Sequence, residues 1–173
     1  MNMYPSFTNK RSLASSNFYT LRMQALRDLL WSKLTGRNSK LATFPRHTER
    51  GHANRKLIGV KDIHIDHIIG TLNRDSDFDD NFRPLGKHLF ERWVNIFANL
   101  DPDSWEPILV HKIGEQYYVE DGHHRVSVAR SLGMLFIQAK VWEYSVEQKK
   151  IRGCKPIRCA ENSSAKVPQR AAG

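Results

Sequence analysis

Residues Val119–Gly133 read VEDGHHRVSVARSLG, and the stretch changes its period midway. Just ahead of its midpoint, PILVHKIGEQYYVED consists of two extended runs parted by Gly114-Glu115, the signature of a hairpin. Behind Gly122, the residues Val126, Ala129 and Leu132 fall on one helical face, and Gly133 supplies a C-terminal stop. The stretch is therefore a strand-to-helix junction, and it concentrates Glu120, Asp121, His123, His124 and Arg125 around one glycine. A turn needs a Gly or an Asp, not five ionisable groups. The first N–H groups of a helix have no intrahelical partner, and the helix dipole places partial positive charge beside them. An anion is the expected occupant, and a phosphate suits the donors best. Gly122 lets the backbone pass close to a ligand, His123 and His124 bring donors, and the planar fork of Arg125 matches phosphate oxygens.

Working outward, LFIQAKVWEY (135–144) reads as a buried strand. Upstream, Leu85, Leu89, Phe90, Trp93, Val94, Ile96, Phe97 and Leu100 make the apolar face of an amphipathic helix that DPDS stops. Trp93 and Trp105 are expected as core anchors. Val60, Ile63 and Ile65 suggest a short strand, with His67 to Ile69 as a turn leading out of it. Phe18, Leu21, Met23, Leu26, Leu29, Leu30 and Leu34 recur at near-helical spacing, with Ser16 or Asn17 as cap and Gly36 beyond, so a helix is predicted to lie on the body. Thr35 to Lys56 is polar, basic and without period, and is predicted as a loop or linker. The expected fold class is α+β: a small mixed-sheet domain over residues 57–144. A basic extension with one helix (1–56) precedes it, and a basic tail (145–173), expected to be disordered, follows.

A chain of 173 residues with 40% hydrophobic content can bury one core. Its net charge of +9 is uneven: Lys and Arg against Asp and Glu number 11 to 2 in residues 1–57, 9 to 14 in 58–144 and 7 to 2 in 145–173. An acidic body thus sits between two basic arms. Such arms contact nucleic acid phosphates through counterion release, or else serve only solubility. Without an 18-residue apolar stretch or a signal-peptide pattern, no membrane association is expected and a cytoplasmic location is. Cys154 and Cys159 lie in the polar tail and suggest no disulfide framework. With His64, His67 and His111 they do not make tetrahedral zinc spacing.

The order of elements and the motif together resemble the ParB/sulfiredoxin-fold family over about Leu57 to Tyr144, roughly half the chain. The matching features are an isoleucine-rich strand (VKDIHIDHI), an arginine-bearing loop (GTLNRDSDFD), a helix, a Pro-Ile-x-Val strand (EPILVHK) and a Gly-x-x-Arg turn opening a helix that finishes at Leu-Gly. Here the turn is GHHR, Gly122 to Arg125. In partitioning proteins of this family the turn binds the phosphates of cytidine triphosphate, in sulfiredoxins those of ATP, and some relatives are nucleases or serine kinases. The resemblance implies phosphate binding by Gly122, His123, His124 and Arg125, and a nucleoside triphosphate with Mg²⁺ as ligand. It also brings an arginine loop, here with Arg74, near the nucleotide. His123 stands where a sulfiredoxin has its reactive cysteine, so sulfinate repair is not expected. Nor is centromere binding, which uses a helix-turn-helix module after this domain.

Other residues carry alternatives. Asp75, Asp77, Asp79 and Asp80 in RDSDFDD could supply oxygens to a cation, Asp77 and Asp79 foremost, or could form a solvated loop that caps the next helix. Arg74 either reaches the ligand or pairs with these aspartates. Glu120 and Asp121 could bind a metal, orient His124 or act as a general base, so Glu120, Asp121 and His124 are the catalytic candidates; Asp121 could equally shape the turn. Tyr117 and Tyr118 point to opposite faces of their strand, one toward the core and one available to stack on a base. Three functions remain open: a nucleotide-binding protein holding a triphosphate in the GHHR turn in association with nucleic acid, a metal-dependent nuclease, and a non-catalytic DNA-binding module that uses the basic termini.

Overall fold

Burial alternates along the strand that contains LFIQAKVWEY. Ile137, Ala139 and Val141 are buried, whereas Phe136, Gln138 and Lys140 are exposed. One face of the sheet therefore packs on a core while the other faces outward. The computed structural model describes residues 7–36, 39–45 and 54–145. The basic C-terminal tail lies outside them, as does part of the N-terminal arm. The strands are β1 (Ala42–Thr43), β2 (Asn54–His64), β3 (Ile68–Thr71), β4 (Ile108–Ile113), β5 (Gln116–Asp121) and β6 (Phe136–Ser145). They form one mixed sheet in the order β1-β3-β5-β4-β6-β2. The hairpin partners β4 and β5 run antiparallel, as do β6 and β2, while β1/β3, β3/β5 and β4/β6 are parallel.

Among the described residues three α-helices accompany the sheet: α1 (Phe7–Thr35), α2 (Phe90–Ala98) and α3 (His123–Ser131). Their apolar residues join the inward face of the sheet in one cluster, which includes Phe18, Trp93, Val126 and Val128 with Ile108, Val110, Val119 and Val141. Trp93 is fully buried and its indole N–H donates to Ser127 Oγ on α3 at 2.9 Å. The predicted N-terminal helix does lie on the body. Phe18 meets the rings of Phe90 and Trp93 edge-on at 5.3 and 5.7 Å, and Arg22 Nε donates to the Leu85 carbonyl. Arg11 reaches Glu91 at 2.7 Å and Asn95 at 2.8 Å. These polar contacts accompany a start at Phe7, well before the predicted cap at Ser16 or Asn17. Among the described residues no helix is long and apolar enough to cross a membrane.

Two predicted irregular segments contain strands. Ile68–Thr71, read in part as a turn, is β3, preceded by a single 3₁₀ turn at Ile65–His67. Gly70 permits this: a Cβ there would sit 2.7 Å from Tyr118 Cδ1 and would also strike the Ala42 carbonyl. The strand is thus defined by close neighbours on both sides and not by an alternating pattern of its own. The predicted loop 35–56 contributes β1, which is two residues long and paired with Gly70 and Thr71, and the first residues of β2.

Candidate functional site at the N-terminus of α3

Strand β5 ends at Asp121, Gly122 takes φ 98°, and α3 begins at His123. The left-handed backbone is one reason for glycine here and packing is another, since a Cβ would lie 2.8 Å from Ile108 Cβ. The first helical hydrogen bond runs from Val126 N–H to the Gly122 carbonyl at 3.0 Å. The N–H groups of His123, His124 and Arg125 therefore have no acceptor within the helix.

The two histidines are held in the fold. His123 is 3% exposed, its ring close to parallel with those of Phe78 and Phe82 at 6.1 and 6.4 Å, and His124 is 8% exposed with its ring edge-on to Phe78 at 5.6 Å. Thr71 Oγ1 accepts the backbone N–H of Asn73 at 3.2 Å and of Arg74 at 3.0 Å, and lies 2.7 Å from His123 Nε2. With both lone pairs of the hydroxyl engaged, its proton is the one left for Nε2, which fixes His123 as the Nδ1–H tautomer. Burial, reinforced by the nearby charge of Arg74, pushes His123 down to about 4. Burial followed by the charges of Arg92 and Arg74 does the same for His124, also to about 4. Both imidazoles are neutral at pH 7, so the cationic character of the site comes from arginines.

Arg74 is the one of these that the sequence pointed to. Its guanidinium contacts Asp77 at 2.9 Å, and the other oxygen of Asp77 lies 3.2 Å from His88 Nε2. The structure thus brings Gly122, His123, His124, Arg74 and Asp77 together. It also adds Thr71, His88 and Arg92, which sequence reasoning did not select. Thr71 had a usable signal, since a Thr two residues before Asn73 forms the local side-chain turn that Ser and Thr favour. For His88 and Arg92 the only guide is tertiary packing.

Other candidates go elsewhere. Arg125 folds back, donating to Asp121 at 2.9 Å and to the Glu106 carbonyl, so its fork is engaged by the protein. Asp121 remains 64% exposed. Glu120 does not orient His124. It lies on the opposite face of β5, 2.6 Å from His111 Nε2, and His111 Nδ1 is 2.9 Å from the Tyr144 hydroxyl. Asp79 is 1% exposed, with Oδ2 taken by Arg83 at 2.7 Å and Oδ1 by the backbone N–H groups of Arg83 and Asn81. It closes the 79–83 loop, as no helix starts there, and Asp77 and Asp79 share no cation position. Among the described residues no group of three or more His, Cys, Asp or Glu side chains is placed to hold a metal ion. Tyr118 is buried on the outward face beside Phe44 and Tyr144, while Tyr117 packs against the main core.

Comparison of the chain with protein-family models, with curated proteins and with solved structures found no match.

Proposed function

We propose that the N-terminus of α3 binds the phosphates of a nucleotide, a nucleoside triphosphate in the form the ParB/sulfiredoxin resemblance implies. The observation that supports this most directly is the convergence of three N–H groups of α3 with Arg74 and Arg92, in a body whose overall charge is acidic. The helix end contributes oriented donors and the arginines contribute charge, while the neutral imidazoles shape the wall without adding repulsion toward Arg74. Mg²⁺ would arrive with the phosphates, because Asp79 is committed to Arg83 and does not fit a carboxylate cage. The nuclease alternative needs carboxylates and a histidine around one cation, and Glu120 and Asp79 are both placed away from His124.

Calorimetric titration with the four ribonucleoside triphosphates, with and without Mg²⁺, tests the proposal. At least one triphosphate is expected to bind, and Arg74→Ala is expected to weaken it by about ten- to a hundredfold, the value of a charge-assisted hydrogen bond. The fold should persist, since the Arg74 side chain is 42% exposed and its pairing with Asp77 contributes at most about 1 kcal/mol. Absence of triphosphate binding, or equal binding by the alanine variant, would sink the proposal.

A further inference from the structure

Among the described residues, the outward face of the sheet carries no helix along β2, β6 and β4, and no helical residue joins the cluster on that side, which consists of Phe44, Tyr118 and Tyr144 with Ile69, Leu72, Ile113 and Trp142 around them. That cluster covers the β3–β5 end. Beyond it, cross-strand register places Phe136 beside His64, Gln138 beside Asp62, Lys140 beside Val60 and Leu109, and Trp142 beside Leu57 and His111. Phe136 is 54% exposed, Val60 56% and Leu57 43%. Strand β6 therefore presents an aromatic ring, an amide, an ammonium and a second aromatic ring in line, over about 20 Å at about 3.3 Å per residue. Arg55 holds its guanidinium 4.7 Å above the Trp142 ring.

We propose that this face binds single-stranded nucleic acid, with bases against Phe136 and against the guanidinium plane of Arg55 that covers Trp142, and the backbone along Lys140. Every base has an aromatic face, so rings spaced along a sheet accept a single strand with little sequence preference, and cations between them track the phosphates. Arg55 and Lys140 are the cations of this stretch of the face and Asp62 and Glu120 its carboxylates, Glu120 being 42% exposed and held by His111 at 2.6 Å. A duplex keeps its bases stacked on one another and offers no such contact. This surface is separate from the α3 N-terminus, which lies among the helices, so either reading can fail without the other.

Fluorescence anisotropy of the full chain with labelled oligothymidylate and oligouridylate, against a labelled duplex of equal length, tests the proposal. Both single strands are expected to bind more tightly than the duplex, and a preference between them identifies DNA or RNA as the source. Phe136→Ala should weaken single-strand binding by about five- to a hundredfold, the effect of losing one stacked base. Lys140→Glu should weaken it too and reduce its salt dependence. Both positions are exposed, and thermal unfolding of each variant checks that the fold is kept. No single-strand binding, equally tight duplex binding, or wild-type affinity in both variants would overturn the proposal; the last outcome would place the contacts on the basic termini.

Discussion

Lowering the pH from neutrality to about 5 is expected to destabilise the protein by several kcal/mol before most carboxylates titrate. His123 and His124 are pushed from an ordinary 6.5 down to about 4 in the folded chain. The unfolded chain therefore binds more protons than the folded one throughout that interval, and stability rises with pH. The contribution is complete above about 6.5 and is lost progressively as pH falls toward 4, where the folded state takes up the protons as well. At about 1.4 kcal/mol per pKa unit, each histidine is associated with roughly 3 kcal/mol over the whole interval. The physical cost is a cation placed among Phe78 and Phe82 with Arg74 and Arg92 nearby; Asp77 and Asp121 offset only part of it. Urea unfolding at a series of pH values between about 7.5 and 5 measures the slope, and the limits keep carboxylate titration small. His124→Gln should reduce the slope by about half. A flat profile, or an unchanged slope in the variant, would show that the histidines are not buried in this way.

Gly122→Ala is expected to cost about 2–5 kcal/mol, from the left-handed backbone and from overpacking against Ile108. Both terms are present because the residue has φ 98° and a Cβ would lie 2.8 Å from Ile108 Cβ, with Arg125 Nη2 a further 3.3 Å contact. Gly133→Ala is the matched control. It has φ 68° with nothing within 4 Å of the added methyl, so it carries only the backbone term of about 1–2 kcal/mol. Thermal unfolding of the two variants side by side should show the larger loss at Gly122. Equal losses would mean that the junction can move away from Ile108, and the close approach would have no role in shaping the anion position.

The junction was legible because its physics is local. A period of two gives way to a helical period at one glycine, and this locates β5, Gly122 and α3 without any knowledge of what surrounds them. The hairpin at Gly114-Glu115 and the face of α2 are readable for the same reason. Strand β3 was not, since IIGT is short, lies between β1 and β5, and needs Gly70 only because Ala42 and Tyr118 approach it. Glu120 shows a limit of a different kind. Val119 points to the core, so alternation alone sends Glu120 to the other face, and grouping it with His124 overlooked that parity. The fate of Asp79 depended on Arg83 turning back onto it, and that of Arg125 on the carbonyl of Glu106 nineteen residues earlier. Neither partner is marked in the sequence as one.

The Thr71 hydroxyl joins the arginine loop to α3, since it receives two backbone N–H groups of the loop and contacts His123 Nε2. The loop and the helix end consequently move as one body, and Arg74 is preorganised beside the N–H groups before any ligand arrives. On the phosphate-binding reading, little ordering entropy then opposes association. The on-rate should follow diffusion and ionic strength, with no slow closing step, and Thr71→Val should lower it while leaving every phosphate-contacting group in the chain.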